Sequence, residues 1–301
     1  MLVALTGATG FLGRRTLAAL HRQGQAVRAL SRRKEHAAPL EGLVEEWCFG
    51  DQYDPDAQAR LVATVGAVIH VAMDWKALND GPRANLERNL AGTLQLLETA
   101  REAGVPQFVF VSSLDVYGNA AGERRLSEID LPPPGSIYGA FKAAVEMHLC
   151  AYRAAFGMNT SSWRPGALYG IKPGIESSLW RDVLRRVRRG ETVSEPTAAD
   201  VVSVDDVSEA LALAVGDETV AGQIFNLADV RLDWPTVAEM ARRTLGKDGS
   251  PHAGLSALES RFDSRKAVGF FDRHGRHEPL RRGLAGVANY LADLLAADTG
   301  L

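Results

Sequence analysis

Apolar positions along the first two thirds of this chain fall into two rhythms: short continuous runs, and longer stretches with helical spacing. Leu2–Thr6 predicts a strand, and Phe11–Arg22 predicts a helix with Leu12, Leu17 and Leu20 apolar. Ala26–Leu30 and Val44–Phe49 predict two further strands. Ala67–Val71 is apolar enough to be a buried strand, and Arg83–Ala103 predicts a long helix with Leu90, Leu94 and Leu97 on one face. Phe108–Val111 is the next strand and Ile137–Phe156 the next helix. Strand alternating with helix implies a parallel sheet covered by helices on both faces, with right-handed crossovers. The expected class is α/β, a doubly wound parallel sheet.

The pattern changes beyond Pro165. Ile171–Pro196 holds one basic helix, strand-like pieces follow at Val201–Val204 and Gln223–Leu227, and helices fill most of Trp234–Leu295. Leu131–Gly135 reads as a loop ending just before a helix. We expect an α/β domain over residues 1–165, rejoined by strand and helix pieces around 200–228. Residues 166–199 and 229–301 should form a smaller, mostly helical lobe.

With 301 residues, 46% hydrophobic and 24% charged, the chain can bury a full core. Its net charge of -3 offers no global pull toward nucleic acid or an anionic membrane. The two cysteines, Cys48 and Cys150, form no CxxC, and no Cys/His cluster has ligand spacing. That argues against a disulfide framework, and no metal site is expected. Cys150 is expected in the core, and His70, in an apolar strand, as a satisfied core histidine. No run is long enough to span a bilayer, and the apolar start lacks a basic flank, so the cytoplasm is the expected compartment.

Three groups of residues carry candidate chemistry. Gly7-Ala-Thr9-Gly10-Phe11-Leu12-Gly13 follows a strand and opens a helix. Its glycines permit a tight turn and close approach of backbone to a pyrophosphate, which the free N–H groups of the helix end would bind. Tyr138 and Lys142 are four apart and share a helix face. An ammonium there would lower the phenol toward neutrality and make it a proton donor and acceptor. Ser112 and Ser113 follow the strand Phe108–Val111, at the carboxyl edge where α/β sheets bind ligands.

In this order and in these contexts, the three groups resemble the extended short-chain dehydrogenase/reductase superfamily, specifically the NAD-dependent epimerase/dehydratase family. Gly50-Asp51-Gln52 resembles the family's adenine-contacting motif, Val68–Ala72 its fourth strand and Asn89–Thr93 its central helix. Arg164-Pro165 through Gly170 resembles its RPxxxYG turn, and Val204–Val207 its VDDV helix cap. The resemblance implies a Rossmann fold and hydride transfer at a secondary alcohol or ketone carbon of a sugar or nucleotide sugar. It implies Tyr138 as general acid/base, Lys142 as nicotinamide-ribose ligand, and Ser113 as the residue polarising the substrate oxygen. Val71, Ala72, Asn89 and Pro165 would border the cofactor, with the glycine turn, Asp51 and Gln52.

Four departures refine these expectations. The second strand ends at Ser31-Arg32-Arg33 rather than at a carboxylate, which favours the 2′-phosphate of NADP over NAD, with NAD still possible. Leu114 and Asp115 replace the Asp-Glu pair of the family's dehydratases, which argues against dehydration. Ala199 stands where nucleotide-sugar enzymes place an arginine, so a small non-nucleotide carbonyl compound is the alternative substrate. The run Arg181, Arg185, Arg186, Arg188 and Arg189 would have to replace that contact, although it also fits a solvated helix face. A non-catalytic NADP-binding sensor is a further alternative; its usual mark, loss of the tyrosine or lysine, is missing. Leu94, Leu97, Met147 and Leu149 extend beyond one apolar stripe on two helices that build dimers in the family, so a homodimer is expected.

Overall fold

The computed structural model describes residues 1–118, 124–130, 133–195, 197–246 and 251–298. Leu131 and Pro132 of the expected loop, and Pro196 at the end of the basic stretch, lie outside the described residues. The chain begins β1 (Leu2–Thr6), α1 (Phe11–Arg22), β2 (Ala26–Ser31), α2 (Lys34–Ala37), β3 (Glu46–Phe49), α3 (Pro55–Val62) and β4 (Ala67–His70). It continues α4 (Trp75–Asn79), α5 (Pro82–Asn85), α6 (Ala91–Glu102), β5 (Gln107–Val111), α7 (Ile137–Phe156) and β6 (Asn159–Pro165). Then follow β7 (Ala167–Tyr169), α8 (Arg181–Arg188), β8 (Ala198–Ser203), α9 (Val204–Leu213), β9 (Gln223–Leu227) and β10 (Val230–Asp233). The helices α10 (Trp234–Gly246), α11 (Arg265–Arg273) and α12 (Gly283–Ala297) complete it.

Seven strands form a Rossmann-type sheet in the order β3-β2-β1-β4-β5-β6-β9, parallel at each pair from β3 to β6. Every residue of β4 and β5 is buried, as a strand covered on both faces requires. The order reverses at β1 and β4, and ligands of such sheets bind beyond the carboxyl ends at that point.

Local chemistry explains the helix that matters most. Ser136 caps α7 by accepting the Gly139 N–H at 2.9 Å, and Gly157 ends it with a left-handed φ of 70°. The buried stripe of α7 is Phe141, Lys142, Val145, Glu146 and Leu149, so two charged residues face the core. Cys150 lies about 100° round the helix from Leu149 and is exposed, which corrects the expectation of a core cysteine. The helix expected over Arg83–Ala103 is α5 and α6 joined by a π-helical turn at Leu86–Leu90. Leu97 and Leu149 are buried in the core of the single chain and Leu94 packs against it. Of the four positions expected to serve a two-fold partner, only Met147 is exposed.

Two compact units divide the chain. The first comprises Met1–Gly122, Glu128–Arg164 and Val207–Phe225, the second Glu123–Ser127, Pro165–Asp206 and Asn226–Leu301. Leu61, Leu96, Phe108, Phe110 and Val145 belong to the core of the first. In the second, β8 pairs antiparallel with β10 and parallel with β7, so this strand builds a small separate sheet rather than returning to the large one. Trp180, Leu184, Leu232, Met240 and Leu291 are buried with it. Among the described residues, no helix is long and apolar enough to cross a membrane, and no group of three or more His, Cys, Asp or Glu is placed to hold a metal.

Candidate active site

The turn after β1 is built by close approach. A Cβ on Gly7 would lie 2.9 Å from the Ala72 nitrogen, and one on Gly13 would lie 1.9 Å from the Gly7 oxygen. Gly7 also has a φ of 71°, which disfavours any side chain. Gly10 caps α1 without a side-chain bond, and no acidic residue occupies the first turn. The helix end therefore keeps donors and positive dipole for an anion. Thr9 and Phe11 are partly exposed there, whereas Leu12 and Gly13 are buried, so the backbone and not the Leu12 side chain faces a ligand. This arrangement fits the pyrophosphate of a dinucleotide.

The ends of β1 and β4 are tied together. The Thr6 hydroxyl accepts the N–H groups of Val71 and Ala72, both at 3.2 Å, and bonds His70 Nδ1 at 2.7 Å. His70 Nε2 meets Thr93 Oγ1 at 3.0 Å, and burial pulls the ring down to about 3, so His70 is a neutral, satisfied core residue.

Asn89, in the π-helical turn, accepts the Asp74 N–H at 2.8 Å and donates to the Asp74 carbonyl at 3.0 Å. It thereby holds the loop after β4. Arg88 joins the same knot, bonding Asp74 at 2.8 Å and Asp51 at 3.2 Å with its guanidinium 4.4 Å from the Tyr53 ring. The Gln52 amide bonds the Tyr53 hydroxyl. Asp51, Gln52 and Asn89 thus order the loops that follow β3 and β4. At the end of β2, buried Ser31 donates to the Arg33 carbonyl at 2.9 Å and turns the chain, leaving Arg32 and Arg33 exposed. Pro165 ends β6 and is buried.

Tyr138, Ser113 and Lys142 come together in the first unit. The hydroxyls of Tyr138 and Ser113 are hydrogen-bonded to each other. Ser113 also accepts the Asp115 N–H at 3.1 Å, which begins the turn that follows β5. Gly139 lets α7 approach this turn closely: a Cβ there would stand 2.3 Å from the Asp115 carbonyl oxygen. The Lys142 ammonium donates to the Val111 carbonyl at 2.6 Å and lies 5.7 Å from the Tyr138 ring centre.

The electrostatics differ from the expected phenol lowered by its lysine. Burial pushes Tyr138 up to about 12; the bond with Ser113 opposes this and the charge of Asp115 adds to it. Burial pulls Lys142 down to about 7, with Glu146 opposing. Desolvation dominates because Lys142 is buried and Tyr138 half-buried, and Lys142 spends its bond on a carbonyl, not on the phenol. The phenol is therefore protonated at neutral pH and poised to donate.

Beneath the site lies a buried ion pair. Arg164 bonds both carboxylate oxygens of Glu146, at 2.9 and 2.6 Å, and the Tyr117 hydroxyl at 2.5 Å. The Ser112 hydroxyl bonds the same carboxylate, so Ser112 serves the core while Ser113 meets Tyr138. Above the site, the Trp75 ring stands 5.5 Å from that of Tyr138.

The profile of the NAD dependent epimerase/dehydratase family matches residues 3–228. The chain belongs to this family. It is 32% identical over 226 residues to sterol demethylase protein B of Methylococcus capsulatus, covering 74% of this chain and 68% of that protein. It is 35% identical over 243 residues to the ceramide reductase of Caulobacter vibrioides, covering 80% and 68%. The crystal structure of Thermus thermophilus UDP-glucose 4-epimerase in complex with NAD superposes with a TM-score of 0.76 at 25% identity, covering 99% of this chain and 100% of that one.

Membership makes the chain an enzyme of the extended short-chain dehydrogenase/reductase type, an oxidoreductase or epimerase that works with a nicotinamide cofactor. The family resemblance drawn from the glycine turn, Ser113 and the Tyr138/Lys142 pair is confirmed. Sequence reading missed Trp75, Arg88, Glu146 and the pairing of Arg164. Glu146 follows Lys142 by four and so shares its buried face, which was a readable signal. Arg88 joins Asp51 and Asp74 only through the fold, and no spacing announces it.

In the second unit, Arg181 bonds Asp298, Arg185 bonds Asp182 at 2.5 Å and Arg186 bonds Glu195 at 2.6 Å. These three arginines of the basic run are thus engaged by carboxylates of their own unit. Ala199 pairs with Leu232 across β8 and β10, within the small sheet.

Proposed function

We propose that this protein reduces a ketone to a secondary alcohol, with Tyr138 as proton donor, Ser113 as the hydroxyl that positions the substrate oxygen, and Lys142 as the cation beside the nicotinamide ribose. The observation that carries this reading is the Tyr138 hydroxyl bonded to Ser113, with the Lys142 ammonium 5.7 Å from its ring centre. When bound, the reduced cofactor supplies a hydride to the carbonyl carbon. The C=O π pair then moves to oxygen, which takes the phenolic proton, and solvent reprotonates Tyr138. Ser113 can donate to the same oxygen and hold it within the 2.6–3.2 Å reach that proton transfer needs.

The cofactor is NADP in this proposal. Exposed Arg32 and Arg33 suit a 2′-phosphate, and no carboxylate ends β2 to repel it. The glycine turn, Asp51, Gln52, Val71, Ala72, Asn89 and Pro165 border it. Residues 166–199 and 229–301 are proposed as a substrate-binding lobe. A non-nucleotide carbonyl compound is favoured over a nucleotide sugar, because Ala199 offers no guanidinium and three basic-run arginines are already paired. Two relatives are named for sterol and ceramide chemistry, which points the same way. Epimerisation of a bound sugar is the second reading, supported by the likeness to UDP-glucose 4-epimerase. The proposal also includes a homodimer, with exposed Met147 and Phe156 on α7 as its candidate surface, and a cytoplasmic setting.

Tyr138→Phe tests the reading. Cofactor affinity should persist while turnover falls roughly 10²- to 10⁴-fold. Unchanged turnover overturns Tyr138 as the donor, and conversion of UDP-glucose without net cofactor consumption would favour the epimerase.

A further inference from the structure

Trp75 is 60% exposed, unusual for the largest apolar side chain when it stands in the first unit's reactive corner. It opens α4, where Asp74 caps the helix by accepting the Ala77 N–H at 3.0 Å. Arg88 and Asn89 hold Asp74 from the other side, so the backbone bearing Trp75 is fixed. The indole and the Tyr138 ring are 5.5 Å apart and tilted by 31°. Ile137, next to Tyr138 at the start of α7, is 46% exposed. Leu86, in the π-helical turn that packs against both α4 and α7, is 56% exposed. Three large apolar side chains thus face solvent on the elements that surround one phenol. Trp47, Trp163, Trp180 and Trp234 are buried or half-buried, so Trp75 alone among the tryptophans is open.

We infer that Trp75 is a specificity-determining platform that takes the flat, apolar ring system of a substrate whose carbonyl reaches Tyr138. The inference rests on the reading of Tyr138 as proton donor and names the substrate class of that site. A carbonyl within hydrogen-bond reach of the phenol must carry its remaining atoms past the neighbouring indole. An aromatic or fused-ring body lies there in offset contact, as paired rings prefer. A hydrated sugar gains little from three exposed hydrocarbon surfaces, whereas an apolar ring removes them from water. The knot of Asp74, Arg88 and Asn89 gives the indole a fixed place, so its contact is organised before the substrate arrives.

The test uses two methyl ketones of unequal size, 2-acetylnaphthalene and butan-2-one, whose difference in intrinsic reactivity cancels when their ratio is compared between wild type, Trp75→Ala, Trp75→Phe and Tyr138→Phe. The ratio of kcat/KM for the naphthyl ketone to that for butanone should fall roughly 10- to 100-fold in Trp75→Ala. Trp75→Phe, which keeps an aromatic face, should recover most of it. Tyr138→Phe should depress both ketones together and leave the ratio near wild type. Calorimetric binding of 2-acetylnaphthalene to the cofactor complex supplies a readout independent of turnover. Binding that depends on Trp75 without turnover supports the platform and refutes the reductase reading. Turnover with a ratio unmoved in Trp75→Ala overturns the platform and leaves the reductase standing. Failure of 2-acetylnaphthalene to bind overturns the platform.

Discussion

Glu146→Gln offers a sharp perturbation because it removes a charge and almost nothing else. The glutamine keeps an oxygen to accept from Ser112 and has nearly the volume of the acid. What remains is the Arg164 guanidinium, with 1% of its side chain exposed and Glu146 itself at 0%. Its two carboxylate bonds become one neutral bond, and the Tyr117 hydroxyl is the other partner held in the core. Breaking a buried pair in this way costs about 3–5 kcal/mol, since the surviving charge has no water to turn to. Against a total stability of about 5–15 kcal/mol, that is a large fraction. For a unit of this size the melting temperature should fall by roughly 6–20 °C. Urea unfolding followed by tryptophan fluorescence measures the loss of stability, since Trp163, buried and stacked on Phe225 at 4.2 Å, reports on the core of this unit. The double variant Glu146→Gln/Arg164→Met should regain most of the loss, because it removes the stranded charge. A single variant within about 1 kcal/mol of wild type, or a double variant no better than the single, refutes the reasoning.

Further outcomes follow from other parts of the site. Lys142 is held down to about 7 in the folded chain against an ordinary 10.5, so the unfolded chain binds more protons between those values. Stability should therefore rise as pH climbs from 7 toward 9.5, by at most about 1.4 kcal/mol per pH unit, and Lys142→Met should flatten that slope; an unchanged slope in the variant contradicts the assignment. Gly139→Ala should lower turnover far more than cofactor affinity, because its Cβ would meet the Asp115 oxygen at 2.3 Å and part Tyr138 from Ser113; wild-type kcat would refute this. Arg32→Ala should weaken NADP more than NAD in calorimetry, and equal weakening would count against a 2′-phosphate contact.

Much of the fold was legible because it is written in apolar periodicity. The bounds of Leu2–Thr6, Phe11–Arg22, Ile137–Phe156 and Gln223–Leu227 match the expected elements residue for residue. The errors lie where a third dimension decides. Ala198–Ser203 reads like any sheet strand, but its partners come from Ala167–Tyr169 and Val230–Asp233, and local pattern cannot choose them. Leu97 and Leu149 looked surplus to one stripe because a helix covered on two sides needs a wider one. At the site, the glycine turn, Ser113, Tyr138 and Lys142 stood out by spacing. Their protonation did not, because burial of the phenol and the ammonium outweighs the charge of one on the other. Trp75 passed unnoticed since nothing in Asp-Trp-Lys says that the indole stays in water beside Tyr138.

Hydride transfer at the Tyr138 site is tested most directly by the fate of one hydrogen. Wild-type protein is mixed with a panel of ketones and NADPH carrying deuterium at both positions of nicotinamide C4, and the alcohol product is examined by mass spectrometry and proton NMR. Hydride transfer at the Tyr138 site predicts one deuterium on the carbon that bore the carbonyl oxygen, in a single stereochemical configuration, with solvent protium on the oxygen. Cofactor that binds while no ketone in the panel acquires deuterium at that carbon contradicts the central claim.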